Sequence, residues 1–255
     1  MKEIEKFYQC MSQKECNYHI HISEQNSYIY FEVPKVACTT VKSTLQELEA
    51  LTLGQNLPSK ESSIVHNKKL SLLRSPSDIG IDNFLAMLNN NNVFKFCFVR
   101  NPYTRLLSVY LNKMSWREGQ FYKKIAEILD MSVSERITFK QFVMAIKNQS
   151  PLAMDPHWRV QTYQTFYGLV DYNFIGRFEN LNQDLKVVLN RIENFSDQKN
   201  KCAEAIEKLS FIRGGKKTNA DSKLRDFYGT QEIRDLVFSI YKEDFHNFDY
   251  SEYLI

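Results

Sequence analysis

Several absences narrow the classes to which this protein can belong. No apolar run approaches the ~20 residues that a membrane-spanning helix needs. Met1 is followed by charged residues and not by an apolar core, so the pattern of a signal peptide is missing. The net charge of +3 is too small for a dedicated nucleic-acid binder, although it allows local basic clefts for anionic ligands. We therefore expect a soluble, cytoplasmic protein that binds no nucleic acid.

Cysteine is scarce and shows no pattern of pairing. The five cysteines are odd in number and lack the paired spacing of a metal site. Cys38 and Cys97 lie in predicted core segments, so we expect reduced, buried thiols and no bound metal.

The length and the apolar content favour one domain. With 255 residues, of which 43% are hydrophobic, the chain can bury one large core. We expect a single α/β domain over residues 1–255. Apolar residues at helical spacing between 115 and 150 predict a helical insertion there.

The first informative stretch runs from a strand through a loop into a helix. Ile29–Val33 is an apolar, β-branched and aromatic run that predicts a buried strand, and Pro34 ends it. Val41 and the leucines after it recur at helical spacing, which predicts a helix from Thr39 or Thr40. Such a turn directs backbone N–H groups and the positive end of the helix at one spot. With Lys35 it predicts an anion site, although an ordinary turn with a solvated lysine has the same pattern.

A second strand-to-helix stretch follows. Val93–Val99 predicts another buried strand, Asn101 is a good N-cap, and Pro102 suits the first helical position. Arg100 at the strand end and Ser108 on the polar helix face are candidates to grip one phosphate. Two such units suit the crevice where open α/β sheets bind nucleotides.

Three further stretches supply candidates. Asp155–Gln161 places His157 in a loop, and Tyr172–Phe178 predicts a third strand. Residues 212–221 predict a basic loop, either a solvated turn or a lid. His19 and His21 alternate with isoleucines, which predicts two imidazoles on the solvent face of a strand.

These motifs resemble a known family in their order along the chain. Pro34–Thr40 resembles the 5′-phosphosulfate loop of the carbohydrate sulfotransferases, the group with the HNK-1, chondroitin 4-O and dermatan 4-O enzymes. Phe98–Tyr110 resembles their 3′-phosphate motif, and Asp155–Gln161 and Asp171–Leu181 agree with later ones. The resemblance spans roughly residues 28–181 and suggests a soluble bacterial member.

The resemblance implies a fold, a donor and a set of ligands. The fold would be the P-loop-like parallel sheet flanked by helices that such sulfotransferases share. The donor would be 3′-phosphoadenosine 5′-phosphosulfate, with no metal required. Its ligands would be Lys35, Val36, Ala37, Cys38, Thr39, Thr40, Arg100, Ser108, Lys217 and Asn219. The acceptor would be a glycan or another molecule that carries a hydroxyl group.

The catalytic candidates are Lys35 on the leaving-group side and a histidine as general base. A histidine has a pKa near working pH, so His66 and His157 both qualify. The residues around His157 favour it slightly, and Glu179 is a further alternative. A nucleotide-dependent kinase on a similar fold is the first rival, but the glycine-rich G-x-x-x-x-G-K-[ST] loop is absent. A non-catalytic binding protein and a sulfotransferase for a non-carbohydrate acceptor are the others.

Overall fold

The fold is built from helices and a small sheet. The computed structural model describes residues 3–56, 61, 65–209 and 220–253. In chain order the helices are α1 (Glu3–Tyr8), α2 (Gln13–His19), α3 (Cys38–Leu53), α4 (Pro76–Ile79), α5 (Ile81–Leu88), α6 (Pro102–Lys113), α7 (Gln120–Ile128), α8 (Phe139–Lys147), α9 (Gln161–Gln164), α10 (Leu181–Phe195), α11 (Lys199–Lys208), α12 (Leu224–Phe227) and α13 (Gln231–Asn247). Short 3-10 turns occupy Lys68–Leu70, Phe178–Asn180 and Asp221–Lys223. The strands are β1 (Ile20–Ser23), β2 (Tyr28–Phe31), β3 (Phe94–Val99) and β4 (Phe174–Arg177).

The chain divides into two compact units. Unit 1 comprises Met1–Val99 and Gln164–Gly215, and unit 2 comprises Arg100–Tyr163 and Lys216–Ile255. Each unit is therefore built from two separate parts of the chain. The single domain expected over residues 1–255 stays a prediction.

Unit 1 contains the sheet, with strand order β1-β2-β3-β4. β1 pairs antiparallel with β2, and β2, β3 and β4 run parallel, with Tyr30 opposite Phe96 and Cys97 opposite Ile175. Every residue of β2 and β3 is buried, as expected for strands covered on both faces. The predicted α/β class is confirmed, but the sheet is mostly and not wholly parallel, because β1 is antiparallel to β2. Each predicted strand is present within two residues of its expected bounds.

Helices pack on one face of the sheet through alternate strand residues. Tyr28, Tyr30 and the phenylalanines of β3 share a core with α3, α10 and α11. On the other face, the Phe31 ring lies against Phe166 and Tyr172. Each such buried side chain stabilises the fold by about 1.5–3 kcal/mol. The carboxyl ends of the parallel strands are thereby held in fixed positions.

Unit 2 is helical and has its own core. α6, α7, α8 and α13 contribute most of the buried side chains, including Leu107, Phe142 and Val237. The Trp158 indole is fully buried against the Phe142 ring at 5.8 Å, and the Tyr241 hydroxyl donates to the Trp158 carbonyl at 2.7 Å. Helices α7 and α8 thus occupy half of the 115–150 stretch. That the stretch is an insertion stays a prediction.

The interpretation of His19 and His21 as a solvent-facing pair is wrong. His19 ends α2, His21 lies on β1, and both side chains are buried. The reason is a buried carboxylate at the end of the neighbouring strand. His21 Nε2 lies 2.7 Å from Glu32, and His19 Nδ1 lies 4.0 Å from the same oxygen.

Candidate active site

The loop between β2 and α3 has an unusual backbone. Lys35 and Ala37 have φ angles of 68° and 54°, in the left-handed region that non-glycine residues rarely adopt. α3 begins at Cys38, and no described side chain caps its N-terminus. Left-handed residues interleaved with others produce a concave row of N–H groups that suits an anion. The positive φ angles of Lys35 and Ala37 are compatible with the predicted anion site, which stays a prediction.

The side chains of this loop divide between the core and its surface. Val36 is fully buried and fastens the loop to the core of unit 1, whereas Lys35 and Thr39 are half-buried. The Cys38 thiol donates to the Val33 carbonyl at 3.0 Å, and burial raises its pKa to about 12. Because a thiol is nucleophilic only as the thiolate, we interpret the Cys38 side chain as structural.

His66 lies beside the first turn of α3. Its Nε2 is 3.0 Å from the Thr39 hydroxyl oxygen, and its Nδ1 is 2.7 Å from Lys42 Nζ. The structure therefore brings His66 together with the predicted anion loop.

A buried ionic network continues from Lys42. Lys42 Nζ lies 3.0 Å from Glu32, which follows β2, and both side chains are almost fully buried. Burial alone would raise the pKa of Glu32, but Lys42 and His21 outweigh it and hold this pKa well below its usual range. Burial and Lys68 lower the pKa of His21, so this imidazole is neutral at pH 7. Lys68 Nζ lies 3.1 Å from His21 Nδ1, and burial lowers the pKa of Lys68 to about 8.

Arg100 is the first residue of unit 2 and directly follows β3 in the sequence. Its side chain is buried. Its Nε donates to the Thr104 hydroxyl at 2.9 Å, and its backbone exchanges two hydrogen bonds with the Gln161 side chain. Thr104 and the buried Ser108 are four residues apart on α6, so they lie on one helix face. The guanidinium therefore lies at the start of the face that carries Ser108.

His157 forms a dyad with Asp155. Its Nδ1 lies 2.7 Å from Asp155 Oδ1, and its backbone N–H donates to the same oxygen at 3.0 Å. Burial would raise the pKa of Asp155, but its hydrogen bonds and charge interaction with His157 lower it. A carboxylate at Nδ1 selects the tautomer with the lone pair on Nε2, as in a histidine base oriented by an aspartate. The exposed fraction of the His157 side chain is 28%, so the imidazole is accessible to a ligand.

Two buried arginines fix the loop that carries His157. Arg105 of α6 donates to the carbonyls of Pro156 at 3.1 Å and Arg159 at 2.7 Å. Arg159 donates to the carbonyls of Pro151 and Met154. Carbonyl groups that accept from guanidinium cations hold this irregular segment in one conformation.

Of the other predicted site residues, Lys217 and Asn219 lie outside the described residues. Glu179 is exposed in the 3-10 turn after β4.

Comparison with known proteins identifies the family. The profile described as Sulfotransferase family matches residues 18–251, which is most of the chain. The chain belongs to the sulfotransferase family.

Several carbohydrate sulfotransferases are similar to this sulfotransferase chain. Carbohydrate sulfotransferase 14 of Danio rerio is 31% identical over 189 residues, 68% of this chain and 48% of that protein. Carbohydrate sulfotransferase 11 of the same species is 26% identical over 258 residues, 91% of this chain and 67% of that protein. Carbohydrate sulfotransferase 9 of Homo sapiens is 27% identical over 256 residues, 91% of this chain and 53% of that protein. The chain thus spans from about half to two thirds of these relatives, and no solved structure matches it.

Two further observations on the structure concern membranes and metals. Across the described part of the sulfotransferase chain, no helix has the length and apolarity to cross a membrane. Within the same ranges, no group of three His, Cys, Asp or Glu side chains is placed to hold a metal ion.

Sequence reasoning missed the partners of the candidate residues. Glu32 and Lys42 flank the anion loop, but their pairing depends on where a strand end meets a helix. Asp155 lies two residues before His157, and this spacing was the available signal for the dyad. Asp244 was also missed. Its buried carboxylate accepts from the backbone N–H groups of Gln161 and Thr162, although it lies 83 residues after Gln161 in the sequence.

Proposed function

We propose that this protein transfers a sulfuryl group from 3′-phosphoadenosine 5′-phosphosulfate to a hydroxyl group of a carbohydrate. The observation that carries the proposal is the glycine-free loop at the N-terminus of α3, with Lys35 and Ala37 left-handed, in a chain of the sulfotransferase family. The names of the curated relatives support a carbohydrate acceptor. The P-loop-like character of the sheet is part of the same proposal.

In this reaction the bond between sulfur and the bridging phosphate oxygen breaks, and a bond between sulfur and the acceptor oxygen forms. Charge develops on the departing phosphate, so fixed positive groups directed at it lower the barrier. We assign this role to Lys35, the amides of Val36, Ala37, Cys38, Thr39 and Thr40, and the two threonine hydroxyls. A lysine and aligned amides can stabilise this charge, so the proposal includes no metal.

The 3′-phosphate distinguishes this donor from ATP. We assign its recognition to the Arg100 guanidinium and the Ser108 hydroxyl, with Lys217 and Asn219 as further ligands. A guanidinium is suited to phosphate because its N–H groups form a planar fork. The burial of Arg100 and its bond to Thr104 support a fixed orientation.

The acceptor hydroxyl must lose a proton, and we assign its removal to His157. The carboxylate of Asp155 at Nδ1 leaves the lone pair on Nε2 and stabilises the imidazolium that forms. His66 is bound instead to a lysine, which favours His157 over His66 as the base. Glu179 remains the alternative base.

Calorimetric titration with adenosine 3′,5′-bisphosphate, beside ATP with Mg²⁺, tests the donor class. We expect tight binding of the bisphosphate in the presence of a chelator and little binding of ATP. The reverse result would favour the kinase, and binding of neither would favour a donor-free protein.

The acceptor class needs a second measurement. The enzyme and donor are incubated with a panel of glycans and of non-carbohydrate hydroxyl compounds, and sulfated products are identified by mass spectrometry. Products confined to the second group would replace the carbohydrate by another acceptor. A cytoplasmic location stays a prediction that cell fractionation tests.

A further inference from the structure

The ionic network of unit 1 runs from Glu32 through Lys42 to His66, and it ends at the Thr39 hydroxyl. Lys42 ammonium carries only donors, and it is paired with the buried Glu32 carboxylate. His66 Nδ1, at 2.7 Å from this ammonium, must therefore accept. The neutral imidazole then carries its proton on Nε2, the nitrogen that faces Thr39.

This tautomer fixes the direction of the Thr39 hydroxyl. When His66 Nε2–H donates to Thr39 Oγ1, the hydroxyl proton points away from the imidazole. Thr39 is the second residue of α3, at the end where unpaired backbone N–H groups and the helix dipole attract an anion. The hydroxyl is thus oriented as a donor to a ligand at this helix end.

We propose that His66 is a positioning residue that orients the Thr39 hydroxyl toward the 5′-phosphate of the donor nucleotide. Glu32 and Lys42 complete the device, because they fix the imidazole and its tautomer. The inference rests on the proposed donor, and it assigns to His66 a task in donor binding instead of proton removal.

A role of His66 as the general base and a role as a positioning residue make opposite predictions for nucleotide binding. A base for the acceptor does not touch the 5′-phosphate, so its removal leaves nucleotide affinity unchanged. A positioning residue acts through Thr39, so we expect His66→Ala and Thr39→Val each to weaken binding of adenosine 3′,5′-bisphosphate roughly tenfold or more, the scale of a hydrogen bond to a charged group. The double variant should bind no more weakly than the weaker single variant, because both changes remove one interaction.

Two comparisons separate positioning from general damage. Glutamine has both a donor and an acceptor at the end of its side chain, so His66→Gln should keep affinity within about twofold of the parent, through the same hydrogen bonds. Adenosine 3′-monophosphate lacks the 5′-phosphate, so its affinity should be equal in the parent and all variants. His246→Asn, at an exposed histidine on α13, is the matched control.

Calorimetry gives the affinities, and thermal unfolding by circular dichroism checks each variant. Unchanged bisphosphate affinity in a folded His66→Ala variant overturns the inference, as does a double variant whose loss is the product of the single losses. If His66→Ala does not fold, Thr39→Val and His66→Gln decide the matter: an unaffected Thr39→Val or a tenfold weaker His66→Gln overturns it. Failure of the parent protein to bind the bisphosphate would instead refute the proposed function.

Discussion

At the scale of single residues, the anion loop keeps its shape against local preference. Lys35 and Ala37 both have positive φ, and a left-handed L-residue costs about 1–2 kcal/mol. Surrounding structure must compensate, and the buried Val36 and the Cys38 thiol bound to the Val33 carbonyl are the contacts that do so. Such strain is typical of loops that bind ligands.

Ala37→Gly should therefore stabilise the fold. Glycine adopts positive φ without steric cost, and after its larger unfolded-state entropy is subtracted we expect a gain of about 0.5–1 kcal/mol. Urea unfolding measures the change. The same substitution at Ala50, inside α3, is the control and should destabilise, since the backbone there is helical. A loss of stability in Ala37→Gly would contradict the strain.

Lys35→Ala should reduce turnover much more than donor affinity. The charge that Lys35 stabilises develops only as the phosphate departs, so its contribution is larger in the transition state than in the bound donor. Single-turnover kinetics and calorimetry on the same preparation separate the two effects. Equal losses in turnover and affinity would leave Lys35 as a donor-binding residue only.

Arg100→Ala should weaken binding of adenosine 3′,5′-bisphosphate by about 1.5–3 kcal/mol, the range for hydrogen bonds to charged groups. Adenosine 5′-phosphosulfate, which has no 3′-phosphate, serves as the control ligand and should bind the variant and the parent equally. If the two ligands lose the same affinity, Arg100 acts on the fold and not on the 3′-phosphate.

At the scale of elements, the carboxyl end of β2 and the first turns of α3 are joined by one ion pair. Glu32 follows the strand, Lys42 lies one turn into the helix, and their charged atoms are 3.0 Å apart. A buried pair contributes little over an apolar contact, but removal of one partner costs about 3–5 kcal/mol because a charge is left buried. The pair therefore makes the loop geometry depend on protonation.

Glu32→Gln should destabilise the protein at pH 7, and the difference from the parent should shrink in acid. The folded pKa of Glu32 lies below its ordinary value, so its stabilisation is fully present above the unfolded pKa of about 4.5 and is lost as pH falls through the folded pKa. Urea unfolding of both proteins from pH 7 down to pH 3 measures this. A difference that is constant with pH would exclude the ion pair as its source.

Glu49→Gln is the matched control in the same unit. Glu49 is buried and accepts from Ser23, Asn26 and Tyr28, but burial raises its pKa despite these bonds. The sign is therefore opposite: its ionisation costs stability as pH rises through the ordinary value. The stability of Glu49→Gln relative to the parent should increase with pH over this range.

The elements were predictable from sequence to a larger extent than their contacts. Periodicity and capping residues located β2, α3, β3 and α6, because those signals are local in the chain. The solvent-facing assignment of His21 failed for a physical reason: the pattern of β1 cannot reveal that the Glu32 carboxylate lies just past the end of the adjacent strand, 2.7 Å from His21 Nε2. Likewise, the sequence of α3 does not reveal that Lys42 pairs with Glu32, because the pair depends on how α3 packs beside the end of β2.

At the scale of the whole molecule, the two units share one chain in an interleaved order. Unit 1 needs residues from both sides of the 100–163 segment, and unit 2 needs α13 from the C-terminal part for its core. Neither unit is a continuous piece of sequence. Composition predicted one core, whereas the structure has two sets of buried side chains.

We expect one cooperative unfolding transition, in line with a single domain over residues 1–255. Each unit consists of two segments that are joined in sequence to segments of the other unit. Unfolding of one unit therefore releases a constraint on the chain ends of the other, and it should destabilise that unit. Scanning calorimetry tests this by comparing the calorimetric and van't Hoff enthalpies, which are equal for a two-state transition. Two resolved transitions would establish two domains.

The positions of the cysteines allow the opening rate of unit 1 to be measured by chemical labelling. All five cysteines belong to unit 1, and unit 2 has none in its sequence. Cys10 is partly exposed, while Cys16, Cys38, Cys97 and Cys202 are buried, and none of the five is in a disulfide. An alkylating reagent therefore marks Cys10 at once, and it marks the other four only as fast as the sheet and its helices open. The rate of labelling reports the lifetime of unit 1 without any engineered probe.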